Sequence, residues 1–189
     1  MKQLKYPSNH KTPRPNFRLI CSLLLLMCVA FSMTGCDDET SNTLTAKIGG
    51  KWFTLEIASN SATREKGLMG RTEIPSDGGM IFIFNDLQKR SFWMKNCLVD
   101  MDILYLDRSH RIVSAYNMKM QPPKGDHESE DDYEARIRRD AVYPSHDRSQ
   151  FVIELKAGKI QELRLKRGEK VILDEDQLKE LVRQADDSP

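Results

Sequence analysis

Lys95, Asn96 and Asp102 are the polar residues of this 189-residue chain whose types and spacing come nearest to a reactive site. An ammonium, an amide and a carboxylate lie within eight positions of one another. Arg71 and Glu154 are charged groups that neighbouring segments could add. These five residues are the candidate ligand contacts, suited to a small polar ligand or an acidic peptide group. In an enzyme, Lys95, Asp102 and Glu154 would have to converge in one pocket with a strongly shifted acid or base, as in a small hydrolase or transferase. The competing assignment is structural and is preferred for the cluster. In it Asn96 and Asp102 tie down a loop, and Lys95 forms a solvated ion pair with Asp100 or Asp102.

Other candidate chemistry is thinner. His110, His127 and His146 lack a paired metal spacing such as HExxH. Cys97 would need a histidine beside it to act as a nucleophile, and nothing in the sequence places one there. Met69, Met80, Met94 and Met101 read as core filling, and Trp93 as a strand aromatic. There is no GxSxG elbow, phosphate-binding loop or dinucleotide fingerprint. No catalytic residue, metal site or cofactor is assigned.

The elements that must position these residues follow from local pattern. Thr45 to Ile48 and Trp52 to Ile57 read as strands joined by a Gly49-Gly50-Lys51 hairpin turn. Asn60 or Ser61 caps a helix running to about Met69, with Gly70 ending it in left-handed geometry. Met80 to Phe84 is a short apolar strand. Residues 91–96 and 102–107 are expected to pair as a hairpin, which would bring Asn96 and Asp102 to the same end. Arg111 to Tyr116 continues the sheet. Residues 117–148 hold Pro122-Pro123 and an acidic run, and read as a surface excursion with a short helix near Tyr133–Arg139. Phe151 to Leu155 returns to strand, Ala157-Gly158 precedes a helical turn, Lys170 to Leu173 is a last strand, and 174–184 a solvated helix. Strands outnumber helices and connections are short. The fold class is α+β, an antiparallel β-rich compact single domain with a short packed helix and a C-terminal helix; a partly closed barrel is one arrangement.

The chain has 29 Lys and Arg and 28 Asp and Glu, unevenly placed. Lys2, Lys5, Lys11, Arg14 and Arg18 precede Cys36 with no acid among them. The rest carries 24 basic and 28 acidic residues, a net charge of −4. That balance does not suit a nucleic-acid partner, whose phosphates demand a positive surface. Leu19 to Met33 is fifteen residues without a charge, bounded by a basic flank and by Thr34-Gly35-Cys36. A spanning helix wants ~20 apolar residues, so this run reads as an export signal.

Two resemblances sharpen the assignment. Met33-Thr34-Gly35-Cys36 resembles the lipobox of bacterial lipoproteins, with Met where Leu is commoner. It implies lipid transfer to the Cys36 thiol, cleavage after Gly35, and anchoring through two or more acyl chains. Asp37 fits the enteric rule for inner-membrane retention, which depends on lineage. An uncleaved signal anchor and plain secretion stay open. Glu65-Lys66-Gly67-Leu68-Met69-Gly70-Arg71, Gly79 to Phe84, Phe92-Trp93-Met94-Lys95-Asn96, Asp102 to Asp107, and Phe151 to Leu155 with Ala157-Gly158 occur in the order seen in DUF192, also called UPF0127. Residues 44–173 resemble this bacterial and archaeal family, which carries no agreed activity. Cys97 and Asp100 depart from its usual Thr and Pro, and residues 121–140 are longer than its usual connection.

The expected organisation is a signal peptide over 1–35, a tether over 36–43, the DUF192-like domain over 44–173 and a helical tail over 174–189. The expected protein is exported and lipid-anchored at Cys36, on the periplasmic or extracytoplasmic face of the membrane. It is a non-enzymatic accessory module for a small polar ligand or an envelope protein; the alternative is an envelope hydrolase or transferase.

Overall fold

A computed structural model describes residues 42–185. The signal segment, Cys36, most of the tether and residues 186–189 lie outside the described residues.

Glycine-rich turns and alternating apolar residues build the first hairpin. β1 (Thr43–Ile48) and β2 (Lys51–Ala58) pair antiparallel across Gly49 and Gly50, both at positive φ. That backbone matches the twist of the flanking strands. α1 (Ser61–Lys66) starts in a capping box: Thr63 N–H donates to Asn60 Oδ1 (2.9 Å) and Asn60 N–H to Thr63 Oγ1 (3.3 Å). The helix stops at Gly67 (φ 46), whose N–H donates to Thr63 O, and not near Met69 as expected. Gly70 is also left-handed, but within the turns that follow.

The apolar run at 80–84 is the start of one long strand, β3 (Gly78–Trp93). β4 (Met101–Leu106) and β5 (Ile112–Met118) follow. α2 (Glu130–Asp140) leads into β6 (Val142–Lys156), then α3 (Lys159–Glu162), β7 (Ile172–Leu173) and α4 (Glu175–Gln184). The sheet order is β5-β4-β6-β3-β2-β1-β7. All pairs are antiparallel except β2 with β3. The expected pairing of 91–96 with 102–107 does not form. β6 lies between β3 and β4, so Ser91 to Trp93 pair with Val142 to Pro144 while β4 pairs with β5 and β6.

The sheet curls into a half-barrel. At one end the start of β5 meets the segment before β7: Ile112 N–H donates to Glu169 O, Gly168 N–H to Ile112 O, and Val171 N–H to His110 O. Inside lie Leu44, Leu55, Ile81, Ile83, Leu104, Leu106, Ile153 and Leu155, with α4 contributing Leu178. The outer face of β3, β4 and β6 carries a second core of Met80, Phe82, Met94, Met101, Ile103, Tyr105 and Val152, covered by Leu68, Ile74, Tyr133 and Ile137. Burial on both faces explains why these strands read as continuous apolar runs. Gly79 is required where β3 meets β6, because a Cβ there would collide with the Glu154 carbonyl oxygen.

The excursion is shorter and less solvated than expected. β6 begins at Val142, and α2 buries Tyr133 and Ile137 on one face, four residues apart. Ser129 caps α2, acids fill its first turn, and Arg138 and Arg139 its last.

Candidate functional site

α1 with its exit turn, two stretches of β3 and the end of β6 border a cavity of about 240 Å³ on the outer face of the sheet. β3 contributes Phe82, Phe84, Phe92 and Trp93, and the turn after it Cys97. α1 and its exit turn contribute Arg64, Glu65, Lys66, Leu68 and Met69. β6 contributes Glu154. The Phe82 and Phe92 rings meet edge to face at 4.8 Å between centroids.

The turn that closes one side is held from two directions. Asn96 takes φ 54, a left-handed value that asparagine tolerates. Its N–H donates to the Tyr133 hydroxyl (3.0 Å), and its carbonyl accepts from Gly70 N–H (2.9 Å). α2 and the α1 exit turn thus fix FWMKN between them. Lys95 does not reach Asp100 or Asp102. Its ammonium sits 2.5 Å from Glu134 and 2.8 Å from Glu130, which raise its pKa. Asp100 pairs instead with Lys119 (2.7 Å) and accepts from Met120 N–H. Lys95 and Arg138 lie over the Trp93 ring at 5.6 and 4.3 Å, bordering a second, more open hollow beside the first.

The five sequence candidates do not form one cluster. Arg71 pairs with Glu56 (2.6 Å). Asp102 is almost fully buried on the barrel side, where it accepts from Ile160 N–H (2.7 Å) and the Asn117 amide (2.8 Å). Register puts Asp102 opposite Leu155, and Ile103 opposite Glu154, so Asp102 and Glu154 project from opposite faces. Lys95, Asp102 and Glu154 cannot converge on one substrate.

Glu154 stands apart. It is 5% exposed, lines the cavity, and has no hydrogen bond or ion pair among the described residues. Burial alone pushes its pKa from 4.5 up to about 8. Cys97 is pushed up to about 12 by burial and by Glu154, and donates weakly to Lys95 O (3.5 Å), so its thiol is no nucleophile at neutral pH. None of the residues lining the cavity is a histidine. Among the described residues no group of three or more His, Cys, Asp or Glu is placed to hold a metal ion. The sequence signal for this site was an acid inside the apolar run Phe151 to Leu155, where every neighbour is buried. The aromatic wall of Phe82 and Phe92 had no such signal, because it depends on how β3 bends over α1.

A larger hollow of about 790 Å³ lies under α4, edged by Arg108, Lys170, Lys179 and Arg183. Those cations are exposed; the buried His110 also lines it, its ring edge to face with Phe151 and its pKa lowered by burial.

The molecule is therefore an α+β half-barrel with one small, aromatic-walled cavity around an unpartnered buried acid. Over residues 44–173 it matches the family DUF192, described as "Uncharacterized ACR, COG1430", and the chain belongs to that family. A protein of Sinorhizobium meliloti 1021, for which a role in transcription regulation has been suggested, has a similar structure: 26% identity, TM-score 0.53, covering 69% of this chain and 91% of the other. A Novosphingobium aromaticivorans protein of unknown function aligns at 25% identity and TM-score 0.51, covering 69% and 83%. No curated protein matches.

Proposed function

We propose that this DUF192 protein is an exported, lipid-anchored binding module that holds a small ligand in the cavity beside FWMKN. The observation that carries the binding reading is Glu154: a nearly fully buried carboxyl, with no partner of its own, facing a cavity with aromatic walls. Proteins pair their buried polar groups, so one left open toward a cavity marks a place for something else to bind. An enzymatic role has less support. A raised carboxyl pKa is what a general acid needs, but Cys97 is held neutral, and Lys95 and Asp102 are engaged elsewhere. The net charge of −4 after Cys36 argues against a nucleic-acid partner, whatever role the Sinorhizobium neighbour has.

The anchoring reading rests on the basic flank, the fifteen-residue apolar run and Cys36. Metabolic labelling with a fatty acid tests it. Label should enter the wild-type chain and not Cys36→Ser, and an unlabelled wild type refutes the anchor. Binding is tested by NMR of the full-length protein in detergent against a set of small apolar compounds, each carrying one polar group. Shifts should gather at Phe92, Trp93, Cys97 and Glu154. A complete set that leaves these residues unmoved would refute the binding module.

A further inference from the structure

On the face where Glu154 projects, its neighbours along and across the sheet are Val152, Met80 and Ile103, all buried and apolar, and the exposed Lys156, which pairs with Glu73 (4.0 Å). A leucine or valine would fill that position without the penalty of burying a carboxyl. Asp102, the other buried acid of this sheet, has that penalty offset by two hydrogen bonds. Glu154 has none. What a glutamate adds is an ionisable carboxyl at the wall of the cavity, which is of use only to something that enters.

The size and walls of the cavity narrow the occupant. Some 240 Å³ takes the place of on the order of eight waters. Phe82, Phe92 and Met69 offer apolar surface and ring faces, which attract cations, and Trp93, already covered on one side by Lys95 and Arg138, adds apolar wall. Ser91 also lines the cavity but is exposed, and the buried polar groups nearby are already engaged. The Cys97 thiol donates to Lys95 O, and the Tyr105 hydroxyl to Tyr143 O. Arg64 donates to Ser59 O and Ile83 O and lies against the Phe84 ring. Glu65 and Lys66 at the mouth are exposed, opposite in charge and screened by solvent. Arg64 has its own acceptors, so the buried ionisable group at the cavity without a partner among the described residues is the Glu154 acid, whose ionised form attracts a cation and repels an anion.

Resting on the binding reading above, we propose that the occupant is a small ammonium ion with a compact apolar body, its N–H donated to the Glu154 carboxylate and its body held against Phe82, Phe92 and Trp93. The empty site keeps Glu154 protonated at neutral pH, since burial raises its pKa to about 8. An entering cation favours the carboxylate, so the carboxyl proton leaves to solvent as the ion pair forms. Binding below pH 8 thus releases close to one proton and tightens as pH rises, until the ligand's own ammonium begins to deprotonate.

The probe is benzylammonium, with benzyl alcohol as its neutral counterpart, titrated into the full-length protein in detergent by calorimetry at pH 7. Phosphate and MOPS buffers, which differ in ionisation enthalpy, report the proton count. Benzylammonium should bind at least tenfold more tightly than the alcohol and release 0.5 to 1 proton, on the order expected for one linked group. Glu154→Gln, checked for folding by its melt, should lose at least tenfold for the cation and keep the alcohol's affinity. Benzylammonium binding no tighter than the alcohol, or with no proton released, overturns the ammonium assignment and leaves the binding module standing. Failure of both probes, together with an unresponsive NMR screen, overturns both.

Discussion

Glu154 and Asp102 are acids on adjacent strands and opposite faces of the sheet, each at most 5% exposed, and they differ in their partners. Asp102 receives two N–H groups; Glu154 receives none. The difference has a consequence for stability even without a ligand. In the unfolded chain Glu154 titrates near its ordinary 4.5, and in the fold near 8. Between those values the native state holds a proton that the unfolded state has lost. Its contribution to stability is therefore complete below about pH 4.5 and is lost as pH rises toward 8, at up to about 1.4 kcal/mol per unit. Urea melts at pH 5, 7 and 9 should show the wild type weakening relative to Glu154→Gln. Parallel profiles would mean that water reaches the carboxyl and that it ionises normally.

At the level of elements, Asp102 is a fastener. Its carboxylate joins β4 to the first turn of α3 through Ile160 N–H, and to β5 through Asn117. Asp102→Ala strands a backbone donor and a side-chain amide, and is expected to cost about 1–3 kcal/mol in urea unfolding. It should leave benzylammonium binding unchanged, because Asp102 faces the barrel interior. Weakened binding in a variant that remains folded would show that the two faces communicate. This geometry also explains what the sequence could and could not convey. The β1–β2 turn, the Asn60 cap, the apolar runs of β4 and β6, and a helix around Tyr133 were each legible, because their causes are local: paired glycines, a capping side chain, unbroken burial. The placement of β6 between β3 and β4 was not legible. It is a long-range choice that inserts residues 142–156 between segments nearly adjacent in sequence, and it dismantles the 91–96/102–107 hairpin on which the clustering of Asn96 with Asp102 depended. Of the five candidate contacts, Glu154 alone lines the cavity, and it was offered as an addition from a distant strand. Lys95 found its acids on α2, inside a segment read as a surface excursion with a short helix and no tie to the strand at 91–96.

Across the whole described domain, the match to DUF192 ends at residue 173, the last residue of β7, yet the barrel core continues into α4. Asp174 caps that helix by accepting from Asp176 and Gln177 N–H, and Gln177 donates back to Thr43 O on β1 (3.2 Å). Leu178 and Ala185 are buried against the inner core, and Leu181 and Val182 are partly so. The helix thus packs on the inner core of the half-barrel from outside the stretch that the family model matches. Burying a leucine contributes ~1.5–3 kcal/mol, so ending the chain after Asp174 should remove about 3–5 kcal/mol once the half-buried pair is included. The truncated chain should still fold, since all seven strands remain, but with part of the inner core uncovered it should bind a hydrophobic dye such as ANS. The cavity at Glu154 lies on the opposite face of the sheet and should keep its affinity for benzylammonium. If stability and dye binding are both unchanged, α4 does not seal the core. If the truncated protein folds but loses the cation, the helix supports the binding face through the sheet itself.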